Sequence, residues 1–300
     1  MAGVVYGYEV DSPLALTYLR TGHGDRIEVV EANPGPEPDV EPVLEWRPRP
    51  DNPFRARMYG DPSAYGVWID DMGGFGVEPD VPRITVPPDA DAVRREERLW
   101  GVPAALCFSR RGDLPLHASA VEVDGRALVF CGPGRFGKTT LAAGFLRNGH
   151  RVLSEDLVCS RSGAEPMVVP GPATVRIRPD VYERLGPIAG TEVVAVDPDR
   201  VHLQLVHQLR GSGDPVPLAG VVILRRGLPD IELYRVEPSR FLAELFTVSF
   251  NLPTDAERVR AFSGIADLAA SVPLWLLDRP LEFDTLDRVV DRLITTCLSP

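Results

Sequence analysis

The chain of 300 residues is 44% hydrophobic and carries a formal net charge of −11. This is enough for an α/β core plus a smaller domain, since domains run to roughly 100–200 residues; the acidic balance argues against nucleic acid or an anionic membrane as main partner, because such binding draws on excess Lys and Arg. The cysteines Cys107, Cys131, Cys159 and Cys297 lack the close paired spacing of a zinc site or disulfide framework, the N-terminal residues lack a basic region followed by an apolar run, and no apolar stretch approaches the roughly 18 residues that span a bilayer, so a soluble, cytoplasmic protein with reduced, buried thiols is expected.

In chain order, the first 112 residues read as a small β-rich domain. Short strand-like runs such as DRIEVVEA, YGVWIDD and PRITVPP are separated by Gly, Pro and Asp. The segment from Asn33 to Pro53 is so rich in Pro that it predicts loop or extended linker. Helical spacing through Val93, Leu99 and Trp100 predicts a connecting helix between Asp89 and Gly112.

The character changes at Leu114. LPLHASAVEVDGRALVFC alternates apolar and polar residues about Asp124-Gly125, a dipeptide suited to a tight hairpin turn. Two antiparallel strands therefore lead into Gly132-Pro133-Gly134-Arg135-Phe136-Gly137-Lys138-Thr139, followed by Thr140 and a helix ending near Gly149. This fits G-x-x-x-x-G-K-[ST], in which Gly-rich backbone turns its N–H groups around an anion, the Lys neutralises outer phosphates and the Thr hydroxyl ligates Mg²⁺. The helix N-terminus adds partial positive charge. The next strand, RVLSED, ends in Glu155 and Asp156 at the carboxyl edge where a nucleotide-binding sheet presents its acids. Neighbouring carboxylates at a strand end point different ways, so one can face a metal and the other an incoming hydroxyl.

Further on, ATVRIR, TEVVAV, RVHLQLV, LAGVVILRR and IELYRV read as strands, and SRFLAELFTVSF, TDAERVRAFSGIADLAAS and TLDRVVDRLITTCL as helices; Thr254 and Glu257 make a capping-box pattern. Strands precede helices, so the chain is not a regular doubly wound alternation. Arg176 and Arg178, two apart on a predicted strand, share a face and can clamp a phosphate or acidic peptide or form a solvated face. Arg225 and Arg226 are expected to face opposite ways. His23, His202 and His207 have no acid or loop context, and His150 is read as a turn residue.

LHASAV followed by VFCGPGRFGKTTLAAGFLRNGHRVLSEDLV resembles the catalytic domain of HPr kinase/phosphorylase, and more closely the shorter HPr-kinase-like proteins found beside peptide-modification genes, including lasso-peptide tailoring kinases. The likeness rests on His117, the loop from Gly132 to Thr139, the Gly149-His150 step and Glu155-Asp156; it spans Leu114 to Val158 and thins toward both ends. It implies a PEP-carboxykinase-like P-loop α/β domain with a mixed sheet over residues 113–300, ATP and Mg²⁺ as cofactors, and transfer of the γ-phosphoryl group to a Ser of a peptide or small protein. Homo-oligomers occur in the family. On this reading Lys138 and the loop amides hold the β/γ-phosphates, Thr139 and Asp156 the metal, Glu155 accepts the hydroxyl proton and His117 positions the γ-phosphate or acceptor, with the two acids open to exchanging roles. The chain departs from the family in having Glu155 before Asp156 instead of two aspartates, in the bulky Arg135 and Phe136, and in lacking a clear counterpart of the Gly- and Asn-rich segment that engages HPr. These differences weigh against HPr as acceptor and against a reverse reaction. A small-metabolite kinase and a non-enzymatic NTP-sensing module remain open to the residues alone.

Overall fold

The structure, a computed structural model, describes residues 3–46, 55–70, 72–88, 91–250 and 252–298. The first strands are β1 (Gly3–Val5), β2 (Tyr8–Asp11), β3 (Arg20–Thr21), β4 (Asp25–Glu31), β5 (Leu44–Trp46), β6 (Ala56–Asp61), β7 (Ala64–Ile69), β8 (Gly73–Glu78) and β9 (Arg83–Val86). They form one mixed sheet in the order β3-β1-β2-β4-β9-β8-β7-β6-β5. β5 falls inside the Pro-rich segment read as loop; it is an edge strand paired only with β6, the position where flanking prolines are tolerated. Residues 47–53 of that segment lie outside the described residues.

The expected connecting helix is two helices, α1 (Ala92–Leu99) and α2 (Val102–Arg110); the expected start at Asp89 lies outside the described residues. The break falls where Gly101 caps α2 and Pro103 enters its first turn. A proline there lacks the amide needed to continue the preceding helix but suits the start of a new one. α2 buries Pro103 to Phe108 and packs on β8 and β9, so it is part of the core and not merely a connector.

The remainder comprises β10 (Leu114–Leu116), β11 (Ala118–Val123), β12 (Arg126–Cys131), α3 (Lys138–Arg147), β13 (Arg151–Ser154), β14 (Val158–Arg161), β15 (Met167–Val169), β16 (Thr174–Ile177), α4 (Pro179–Leu185), β17 (Thr191–Val196), β18 (Val201–Leu205), α5 (His207–Arg210), β19 (Val216–Arg225), β20 (Glu232–Val236), α6 (Leu242–Thr247), α7 (Asp255–Ser271), β21 (Leu274–Asp278) and α8 (Leu286–Cys297). A second mixed sheet runs β10-β14-β15-β19-β12-β11-β13, with β21 joined to β19 and β20 to β21; β16, β18 and β17 make a separate small sheet. The chain is thus a mixed α/β structure. Among the described residues, no helix is long and apolar enough to cross a membrane.

The hairpin before the loop forms as expected, β11 pairing antiparallel with β12 across Asp124 and Gly125, both at positive φ. Side chains on β12 alternate between two cores: Leu128 and Phe130 meet α3 and α8, while Ala127, Val129 and Cys131 meet α7 and neighbouring strands. Covering both faces explains why the strand is almost continuously apolar. β12, β19 and β21 are parallel, and β13 runs the same way because it is antiparallel to β11. Their carboxyl ends, at Cys131, Arg225, Asp278 and Ser154, therefore open on one edge, as ligand-binding sheets of this kind require. The capping box of α7 is present: Glu257 N–H donates to Thr254 Oγ1 at 3.2 Å, and Thr254 N–H donates to Glu257 Oε2 at 3.1 Å.

Arg20 on β3 ties the first sheet to the second. Only 1% exposed, it donates to the carbonyls of Gly171 (2.8 Å), Val152 (2.8 Å), Leu153 (3.2 Å) and Arg210. Burial pushes its pKa down to about 9, so the guanidinium is still charged at neutral pH and satisfies acceptors that water cannot reach. Two of these acceptors belong to β13, the strand that presents the acid pair. Arg20→Met should therefore lower the unfolding free energy by about 2–4 kcal/mol in urea denaturation, because buried carbonyls lose a charged donor; a loss below about 0.5 kcal/mol, typical of a surface change, would contradict this role.

Candidate functional site

The loop after β12 turns sharply into α3. Gly137, at φ +84°, is the N-cap of α3, and Arg135 also has positive φ, +67°. A side chain at Gly137 would be strained by that backbone and would meet Arg279, whose Nη2 lies 2.8 Å from the position of an added Cβ. Pro133, Gly134 and Arg135 are exposed at the mouth, whereas Phe136 is half-buried beneath the Arg226 guanidinium, 4.9 Å from its ring centre. Thr140 lies one residue further into α3 and lines the cleft. The packing face expected for α3 is present, with Leu141, Ala142, Phe145 and Leu146 buried, and Asn148 and Gly149 close the helix, the latter at φ +85°.

Lys138 is 8% exposed and folds back on its own loop, Nζ donating to Gly132 O at 2.8 Å and to Pro133 O at 3.4 Å. Burial lowers its pKa, and the nearby charges of Asp156, Cys131 and Glu155 offset only part of that effect. The Thr139 hydroxyl donates to Glu155 Oε1 at 2.7 Å. Arg176 on β16 lies between the two acids, its Nε 3.2 Å from Glu155 Oε2 and its Nη2 2.9 Å from Asp156 Oδ2. These partners outweigh the burial that would lower the pKa of Arg176, so it is raised. His117, in the break between β10 and β11, places Nδ1 3.1 Å from Asp156 O and 3.2 Å from Asp156 Oδ1.

Asp156 has positive φ, +73°. Burial would raise the Asp156 pKa, but the His117 hydrogen bond and the Arg176 charge hold it well below the usual carboxylate range. The two acids therefore have different partners: Glu155 with Thr139 and Arg176, Asp156 with His117 and Arg176. Thr139 thus contacts Glu155, while Asp156 contacts His117.

Arg176 and Arg178 both line the cavity, but they do not share a strand. β16 ends at Ile177 because Arg178 precedes Pro179 and caps α4 in extended conformation. Arg178 instead pairs with Asp180, at 2.9 Å and 2.6 Å. Arg225 pairs with Glu244 and Arg226 with the Phe136 ring, so this pair diverges as expected. The four cysteines are buried and free.

Two site features escaped sequence reasoning. His202 on β18, opposite Arg176 in the strand register, is 4% exposed and held between Glu97 Oε1 (2.5 Å) and Asp197 Oδ2 (2.8 Å). Glu97 lies on α1, so no local sequence pattern revealed the pairing. Arg279, immediately after β21, reaches the loop from a strand end remote in sequence. Together with the loop, the acids and residues of α1 and α4, these side chains line a cavity of 870 Å³.

No family model matches the sequence, and no curated protein matches it. Among solved structures, the chain is similar to the HPr(Ser) kinase/phosphatase from Coxiella burnetii, with 10% identity over 60% of this chain and 93% of that chain and a TM-score of 0.32.

The hydrogen bond to Glu97, opposed by burial and reinforced by Asp197, raises the His202 pKa. A raised folded-state pKa contributes stability that is fully present below the unfolded value of about 6.5 and is lost as pH rises through the folded value. Urea midpoints of the wild type should therefore fall as pH climbs above about 6.5, relative to His202→Gln, which removes this titration. Parallel pH profiles for the two proteins would show that the histidine is not charged between its acids.

Proposed function

We propose that the protein is a kinase that transfers the γ-phosphoryl group of ATP to a hydroxyl, Ser of a peptide or small protein being the acceptor implied by the sequence resemblance. The observation that carries this reading is the convergence, in one cleft, of a phosphate-type loop with a buried lysine, a Thr139–Glu155 contact and a separately held Asp156.

The residues fit a Mg²⁺–nucleotide. Lys138 now lies on loop carbonyls and is within its own loop's reach of incoming phosphate oxygens. The Thr139 hydroxyl and Glu155 carboxylate are hard oxygen donors of the kind that hold Mg²⁺ together with substrate phosphates. Thr139 and Glu155 would hold the ion there, and it would supply neutralisation of phosphate charge. Asp156 accepts the proton of the acceptor hydroxyl, with His117 fixing its orientation. A carboxylate of low pKa is adequate because transfer through a loose transition state depends mainly on positioning. Arg176 bridges the two acids until substrates enter. This division exchanges the roles first expected for Glu155 and Asp156, and its support is the 2.7 Å Thr139–Glu155 contact.

We assign acceptor binding to the side of the cleft where residues 1–112 meet residues 113–300, because Glu97 and Arg98 of α1 line the same cavity as the acids. A second reading, an NTP-binding module without catalysis, is favoured by one observation: Arg176 already satisfies both acids.

Phosphate transfer from labelled ATP, to a Ser-containing peptide or to water, tests the proposal as a function of Mg²⁺. Asp156→Asn should lower kcat by roughly 10²–10⁴ with an unchanged Mg²⁺ requirement. Glu155→Gln should raise the Mg²⁺ requirement and recover part of its activity at high Mg²⁺. The opposite pattern would restore the first assignment, and full activity in both variants would overturn the kinase mechanism. A wild type that binds ATP but transfers no phosphate would support the binding module.

A further inference from the structure

Arg279 is a cation with an anion's place left beside it. Its residue is 3% exposed, and Nε and Nη2 have no hydrogen-bond partner; Nη1 alone reaches a carbonyl, Pro280 O, at 3.3 Å. Among the described residues it takes part in no ion pair with an acid. Burial pushes its pKa down to about 10, which still leaves it charged at neutral pH. A buried, unpaired guanidinium is costly, and proteins ordinarily pair such groups.

Its position indicates the missing partner. β21 is parallel to β19, which is parallel to β12, with Asp278 in register with Arg225 and Cys131 with Ile223. Arg279 therefore leaves the sheet at the same edge as the loop. It stands against Gly137, directly before the ten-residue helix α3, on the loop's side of the cavity. The start of α3, Lys138 and Arg279 thus line the same cavity, with Arg279 against Gly137, while the acids Glu155 and Asp156 are held by Arg176, Thr139 and His117. A helix N-terminus favours an anion, and a guanidinium fork matches phosphate oxygens.

We infer that Arg279 is a direct ligand of the nucleotide's phosphate chain, its Nη2 and Nε donating to phosphate oxygens held at the loop. The inference rests on the phosphate-binding part of the proposed function and does not depend on the acceptor or on catalysis. It also gives Gly137 a second reason to be glycine, since any side chain there would occupy the approach of Arg279.

Inorganic pyrophosphate and ADP are suitable probes, titrated by calorimetry into the wild type, Lys138→Ala and Arg279→Met, alongside thermal unfolding of each protein without ligand. Arg279→Met should weaken both probes at least tenfold while leaving the unliganded melting temperature unchanged or raised, because an uncompensated buried charge is removed. A merely structural arginine would give the reverse: a lower melting temperature and affinities within twofold of wild type, which would overturn the inference. If Lys138→Ala alone lost affinity, the loop assignment would stand and the Arg279 assignment would fall. Failure of the wild type to bind either probe would remove both. Should Arg279→Met not fold, the Nε resonance of Arg279 in ¹⁵N-arginine-labelled wild type, assigned with Arg279→Lys, decides the matter. It should shift on addition of pyrophosphate, and an unmoved resonance would refute the contact.

Discussion

The cleft depends on Arg176 standing between Glu155 and Asp156. Two adjacent carboxylates after a strand end repel one another, and a cation between them offsets that repulsion. Arg176 comes from a different sheet, the small β16-β18-β17 sheet, so the contact links that sheet to the end of β13. Asp156, at positive φ, meets His117, and Glu155 lies beside Thr139. Strain in a non-glycine residue at such a position is a recurrent feature of functional sites, where the surrounding contacts hold it in place.

The charge of the protein is distributed around this arrangement. A chain of net charge −11 nevertheless lines its cavity with Lys138, Arg176, Arg178 and Arg279. Arg178 is answered by its neighbour Asp180 and Arg176 by the acid pair, whereas Lys138 has only loop carbonyls and Arg279 a single carbonyl. Both Lys138 and Arg279 lie beside Gly137 and the start of α3. An anion at this end of the cavity would find both cations and the helix N-terminus beside it, which is the basis of the proposed phosphate site. The rest of the framework is secured elsewhere, by Arg20 on buried carbonyls and by His202 between Glu97 and Asp197.

Much of this was legible in local sequence because local backbone chemistry sets it. Asp124-Gly125 announced the hairpin, RALVFC announced the strand before the loop, though not its burial on both faces, and Gly137-Lys138-Thr139 announced the turn into α3. The placement of Glu155 and Asp156 at a strand end could likewise be read from RVLSED. What could not be read depends on long-range meetings. Arg178 looked like a strand neighbour of Arg176, but Pro179 makes it a helix cap. His202 seemed ordinary because its acids come from α1 and from the turn after β17. The separate contacts of Glu155 with Thr139 and of Asp156 with His117 are not specified by side-chain identity, and Arg279 has no motif about it because only the parallel register of β12, β19 and β21 brings it to the loop.

Calorimetric titration of the wild type with ATP, in the presence and absence of Mg²⁺, probes most directly whether the cleft is a Mg²⁺–nucleotide site. Saturable one-to-one binding that tightens when Mg²⁺ is added is the expected result, since Thr139 and Glu155 offer their oxygens to the metal and the loop offers its cations to the phosphates. Absence of ATP binding, or binding indifferent to Mg²⁺, would contradict it.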